Sequence, residues 1–88
     1  MPNIPLEKRK NTLFVAGLPF DITREELVGF FKSFNLIHDD VHMISNHNGK
    51  FSGNALVSFE DEMDAQKALK TKNLTYIRNR YVELSEYR

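Results

Sequence analysis

Three features of this 88-residue sequence predict its fold class. Thr12 to Gly17 alternates between two faces, as a half-buried strand does. Leu27, Phe30, Phe31 and Phe34 recur at i, i+3, i+4 and i+7, the stripe of a helix lying on a core. Asn48-Gly49 separates two further strand-like runs, and both residue types tolerate the positive φ of a hairpin turn. With a second helix and a closing strand, these predict an α+β sandwich of order β-α-β-β-α-β. This is the ferredoxin-like arrangement, a four-stranded antiparallel sheet with two helices on one face.

Residues 1–11 carry prolines at positions 2 and 5 and no periodicity, and read as an irregular leader or linker before a domain over 12–88. In the first strand Leu13 and Val15 face one way, Phe14 and Ala16 the other. Pro19 lacks an amide hydrogen and cannot serve a central ladder, so residues 18–22 form a loop that leaves Phe20 near the sheet's end. Thr23 followed by Glu26 is a capping box, and the helix behind it is expected over about Arg24 to Phe34. Asp40 to Asn46, with Val41, Met43 and Ile44, reads as the second strand, and Gly53 to Phe59 as the third. Ala55, Val57 and Phe59 then point inward, with Asn54, Leu56 and Ser58 on the opposite face. A second helix is expected from about Glu62 to Lys70, capped by Asp61, with Ala65, Ala68 and Leu69 as a narrow apolar face. Leu74, Tyr76 and Ile77 form a short extension, Asn79-Arg80 a turn, and Tyr81 to Glu86 a last strand with Val82 and Leu84 inward.

A chain of this length forms one small domain with one core. It has no cysteine, which removes disulfides, thiolate metal sites and cysteine nucleophiles and fits a reducing intracellular setting. No apolar run approaches the roughly twenty residues of a membrane helix, and the first ten residues are polar and charged, so a soluble domain without membrane contact is expected. Twelve basic and twelve acidic side chains cancel, which excludes the broad electrostatic attraction of a basic tail for nucleic acid. Lys8-Arg9-Lys10, Arg78, Arg80 and Arg88, and the acidic run Glu60-Asp61-Glu62 with Asp64, read as solvated faces.

The topology is shared by hydrolases, metal carriers and small-molecule sensors, so residues must discriminate. A copper carrier needs a Cys-x-x-Cys pair, which is absent, and Gly17-Leu18-Pro19 is a poor anion-binding loop. His38, His42 and His47 lack the carboxylate or cysteine partners of a metal site. Ser45, Ser52 and Ser58 have no base positioned by the pattern. No catalytic residue, metal ligand or cofactor is assigned, and the chain is expected not to be an enzyme.

Leu13 to Leu18 and Ser52 to Phe59 resemble the hexapeptide and octapeptide of an RNA recognition motif domain, whose aromatics stack on single-stranded bases. Asn54 and Leu56 stand where that octapeptide is usually aromatic, so most of the sheet-face platform is missing. Four segments sharpen the resemblance: Gly17 to Phe20, Gly49 to Ala55, Glu62 to Leu69 and Asn79 to Leu84. They are most similar to the quasi-RNA-recognition motifs of heterogeneous nuclear ribonucleoproteins F and H and related splicing regulators. That resemblance implies RNA held by loops at the sheet's edge.

On the matching positions it implies Phe20 and Tyr81 as stacking residues, Arg80 as a planar fork for a base edge or phosphate, and Lys50 as a point charge. Phe51, in a polar hairpin with less reason to be core, joins the candidates, as does Phe14, the one aromatic kept on the sheet face; Tyr87 is a candidate lid. Ala16 stands where guanine-tract binders of the family tend to carry a basic residue, so that preference does not carry over. The expected function is a single-stranded RNA-binding module of a larger RNA-processing protein, in the nucleus by analogy or in the cytoplasm. It is expected as a monomer, with sister RNA recognition motif domains or protein partners. The alternative is a protein-interaction module whose sheet face is covered by a peptide or a neighbouring domain.

Overall fold

A computed structural model describes residues 10–87, with the side chains of residues 38 and 39 left aside. The leader expected over residues 1–11, Lys8, Arg9 and Arg88 therefore lie wholly or mostly outside the described residues. The elements are β1 (Thr12–Ala16), α1 (Arg24–Phe30), β2 (Leu36–Ser45), β3 (Phe51–Phe59), α2 (Glu62–Lys72), β4 (Thr75–Ile77) and β5 (Arg80–Glu86). The ferredoxin-like order is present, but the sheet has five strands, ordered β2-β3-β1-β5-β4, where four were expected. The extra strand is the segment read as a short extension. It folds back on β5 through Thr75↔Val82, Tyr76↔Tyr81 and Ile77↔Arg80, so Arg78-Asn79 is the turn, one residue earlier than expected. Arg78 takes the positive φ of 55° that a tight hairpin demands.

The alternation expected of the strands decides which face holds the core. Leu13 and Val15 of β1, Val41 of β2, Ala55, Val57 and Phe59 of β3, and Val82 and Leu84 of β5 are buried with Leu27 and Phe31 from the first helical segment and Ala65 and Ala68 from α2. Thr23 caps α1 by accepting the Glu26 amide at 3.1 Å, and Asp61 caps α2 by accepting the Asp64 amide at 2.9 Å. The first helix is shorter than its stripe. At Phe31 the backbone leaves the α region (φ −108°, ψ 11°), and Lys32–Phe34 continues as a 3-10 turn ended by Asn35 in the left-handed region. A 3-10 turn keeps i and i+3 on one side, so the apolar spacing does not reveal the tightening. Phe31 itself is fully buried, edge-on to Phe59 at 5.5 Å and to Phe30 at 4.9 Å between ring centroids. Phe30 and Phe34 sit at the core margin, and the Lys72 ammonium lies 4.9 Å from the centre of the Phe30 ring.

The β2–β3 hairpin turns over residues 46–50, around the Asn48-Gly49 pair as expected. Asn46 organises it: its side-chain oxygen accepts the amides of Asn48 and Lys50 at 2.9 and 3.2 Å, and its own amide donates to the Lys50 carbonyl at 2.7 Å. Gly49 supplies the positive φ. Beyond the turn, the register passes from Ser45↔Phe51 to Ile44↔Asn54, which places Ser52 and Gly53 in a bulge. The Ser52 hydroxyl caps the Ile44 carbonyl there at 2.7 Å, and Gly53 adopts φ +88°.

Among the described residues, no helix is long and apolar enough to cross a membrane. Phe31→Ala is expected to lower the unfolding free energy by about 3–5 kcal/mol, because a fully buried ring leaves a cavity. Phe30→Ala, at the core margin, should cost clearly less. Urea denaturation of the two variants checks the order, and equal losses would show that the two rings are packed alike.

Candidate nucleic-acid interface

The loop after β1 is pinned on both sides and projects one ring between the pins. Leu18 is fully buried and its amide donates to the Gly53 carbonyl at 3.0 Å. Pro19 is buried, its carbonyl accepting the Ile22 amide at 3.2 Å, and Ile22 returns the chain to the core. Phe20, between them, is 68% exposed. It therefore does not plug the core at the start of α1.

Two glycines make this loop possible. Gly17 has φ +85°, and a Cβ there would lie 2.6 Å from the Tyr81 carbonyl oxygen, so only hydrogen fits. Gly53 also has positive φ, and a Cβ on it would lie 3.4 Å from the Leu18 oxygen and 3.7 Å from the edge of the Phe20 ring. The end of β1, the β3 bulge and the start of β5 thus meet around Phe20.

Arg80 enters from β5. Its guanidinium carbon stands 5.8 Å from the centre of the Phe20 ring, at cation–π distance, and its Nε reaches the Gly17 carbonyl at 3.4 Å. Tyr81 follows, 51% exposed, on the face of β5 opposite the core. Phe20 and Arg80 are therefore brought together at one end of the sheet, and Tyr81, next to Arg80 in β5, is exposed on the face opposite the core. Lys50 is exposed on the β2–β3 hairpin that leads into Gly53. Phe51 is half-buried and packs against the core margin, so the polar hairpin does not leave its ring fully open.

Phe14 lies apart from this cluster, half-buried in mid-sheet between Leu56 of β3 and Ser85 of β5. Leu56 and Ser58 take the face opposite the core, as expected, yet both are buried, and Ser58 shares a 2.9 Å hydroxyl contact with Thr12. The Tyr87 amide donates to the Thr12 carbonyl at 3.2 Å, carrying the chain beyond β5 alongside β1. The middle of this face is consequently largely shielded from solvent.

A clamp missed by sequence reasoning holds the cluster. Arg78, counted there as a solvated cation, donates to both carboxylate oxygens of Glu26 and to Asp21 at 2.6 Å. The hydrogen bonds to Glu26 and then Asp21 raise its pKa further, so it stays charged. Asp21 adjoins Phe20 and Arg78 sits two residues before Arg80, so the clamp ties both arms of the cluster to the start of α1. Tyr76, read in the sequence only as part of a short extension, stands beside Tyr81. It is 64% exposed and its ring centre lies 5.1 Å from that of Tyr81. Its signal was available in the hairpin register, which the one-residue error in the turn concealed.

With this geometry established, comparison with known proteins is direct. Residues 13–83 match the model of the RNA recognition motif. The chain belongs to the RNA recognition motif family. It is 36% identical over 86 residues to human G-rich sequence factor 1, covering 92% of this chain and 18% of that protein. It is 38% identical over 60 residues to mouse RNA-binding protein 12B-B, covering 68% of this chain and 7% of the relative. The crystal structure of human G-rich RNA sequence binding factor 1 superposes with a TM-score of 0.82 at 35% identity, over 88% of this chain and 79% of that one. The Sex-lethal protein–RNA complex superposes with a TM-score of 0.79 at 31% identity, over 89% of this chain and 47% of that one. The chain thus spans less than a fifth of the curated relatives named.

Gly17→Ala is expected to destabilise this RNA recognition motif domain by about 1–3 kcal/mol, since the new Cβ meets a carbonyl and the backbone is strained as well. Thermal unfolding measures the loss. Amide shifts at Arg80 and Tyr81 should move in the folded fraction, because the clash is with their strand.

Proposed function

We propose that this chain is a single-stranded RNA-binding module of a larger RNA-processing protein, engaging RNA through loops at one end of its sheet. The observation that carries this reading is exposed Phe20 beside Arg80, with exposed Tyr81 next in the strand, in a member of the RNA recognition motif family. Phe20 and Tyr81 each offer a π face worth roughly 1–3 kcal/mol to a stacked base. Arg80, planar and already oriented by Phe20 and the Gly17 carbonyl, offers paired donors to a base edge or phosphate. Lys50 and Phe51 extend the contact along the adjoining hairpin, and Phe14 plays at most a marginal part from the sheet face. The buried Leu56 beside Phe14 favours the edge-loop mode of the quasi-RNA-recognition motifs over stacking on the sheet.

Few cations stand in the cluster and the sequence is neutral, so one domain binds weakly, in the micromolar range or above. Useful affinity then comes from linkage to sister domains, in keeping with the small fraction of its relatives that the chain spans. Splicing or another mRNA-directed role, with nuclear residence, is the setting proposed on the family resemblance.

Titration of the labelled domain with short single-stranded RNAs should move the amides of Phe20, Lys50, Arg80 and Tyr81. Phe20→Ala and Arg80→Ala should each weaken binding about tenfold or more with folding intact. The logarithm of affinity should fall with salt by roughly 0.7 per phosphate contacted, for only a few phosphates. Shifts centred on Phe14 and Asn54, or a slope equal to six or more contacts, would overturn the edge-loop reading.

A further inference from the structure

Tyr76 and Tyr81 are direct partners across the β4–β5 hairpin, so their side chains rise from the same face, opposite to buried Ile77 and Val82. Their ring centres are 5.1 Å apart with the planes inclined by 33°, within the range of an offset aromatic contact. Packing does not account for the pair, since 64% of Tyr76 and 51% of Tyr81 remain exposed. The two residues thus keep much of their surface in contact with solvent. The pair stands at the same end of the sheet as the Phe20–Arg80 cluster, because Tyr81 follows Arg80 in β5 and its carbonyl lies against Gly17.

We propose that Tyr76 and Tyr81 form a second stacking platform, which takes an additional unpaired base of the RNA strand held at Phe20 and Arg80. The proposal rests on the RNA-binding reading above and extends it to a residue outside that site. An uncharged pair of π faces adds affinity with little regard for base identity, since every base can stack. It also adds no phosphate contact, so its contribution is independent of salt, whereas that of Arg80 is not. The binding end of this domain therefore divides into a cationic subsite, Phe20 with Arg80, and a neutral aromatic one, Tyr81 with Tyr76.

The test compares wild type, Tyr76→Ala, Tyr76→Phe and Phe20→Ala in titrations with oligouridylates and oligoadenylates of two to six nucleotides, at two salt concentrations. Tyr76→Ala should weaken hexanucleotide binding about five- to a hundredfold, leave the salt slope unchanged and leave dinucleotide binding nearly intact. Tyr76→Phe, which keeps the ring, should match wild type. In the wild-type domain the Tyr76 ring protons should shift on hexanucleotide binding, a readout that stands even if Tyr76→Ala loosens the hairpin. Hexanucleotide binding that is lost in Phe20→Ala but equal in wild type and Tyr76→Ala, with no Tyr76 ring shift, overturns the platform and leaves the RNA reading standing. Absence of any shift in wild type at millimolar RNA overturns both.

Discussion

The candidate site depends on a contact that only one residue type permits. At Gly17 the backbone of β1 comes so close to the Tyr81 carbonyl that a methyl group would sit 2.6 Å from the oxygen. The positive φ at the same residue turns the chain, so that the next amide, of Leu18, reaches the Gly53 carbonyl in the β3 bulge. Three strands are thereby drawn together at one end of the sheet with little side-chain bulk between them. Phe20 projects from the loop so formed, and Arg80 and Tyr81 start the strand against which Gly17 packs. A bulge, a glycine turn and a strand start are individually ordinary; their meeting leaves polar backbone paired within the fold and aromatic rings facing water.

Arg78 shows how the same end resists deformation. A non-glycine residue in the left-handed region costs roughly 1–2 kcal/mol, and Arg78 occupies it in the turn between β4 and β5. Its guanidinium is held by Glu26 and Asp21, so the turn is tied to the start of α1 from both sides of Thr23. Glu26 is the glutamate of the capping box: Thr23 accepts its amide, while its carboxylate is taken by Arg78. A local helix-start signal has thus been put to use in tertiary structure. Because Arg78 is neutralised where it stands, Arg80 is the cation that the cluster presents next to Phe20.

Much of the fold was legible in periodicity, and the parts that were not have identifiable causes. Alternation assigned the inward residues of β1, β3 and β5, because a strand's faces follow from parity alone. Thr23 and Asp61 marked both helix starts. The end of α1 was not legible, since a 3-10 turn preserves the spacing of Phe31 and Phe34. The fifth strand was hidden because a three-residue strand lies below the length at which alternation is a pattern, and because Arg78 is an unusual choice for positive φ. Taking Asn79-Arg80 as the turn shifted the hairpin by one residue and separated Tyr76 from Tyr81. In the site, the choice of Phe20, Arg80 and Tyr81 followed from resemblance, while the proximity of Phe20 to Arg80 depends on Gly17 and Gly53, whose roles arise from what they lack. Phe51 is half-buried against the core margin, which the polarity of its hairpin does not reveal.

The burial of Leu56 bears on where a ligand can sit. Leu56 faces away from the helices, yet it is shielded from solvent beside half-buried Phe14, with buried Thr12 and Ser58 next along the ladder. Stacking a base there would require uncovering apolar surface that is already out of water, at about 25 cal/mol per Å². At the end of the sheet the balance is reversed: Phe20, Tyr81 and Tyr76 expose rings whose burial is still unspent, and a base laid on them removes apolar surface from water without displacing the protein. In the RNA-binding mode proposed above, the same hydrophobic term that closes the centre of this face favours its edge. With charges balanced across the sequence, that proposal rests the attraction there mainly on aromatic area, with Arg80 supplying its polarity.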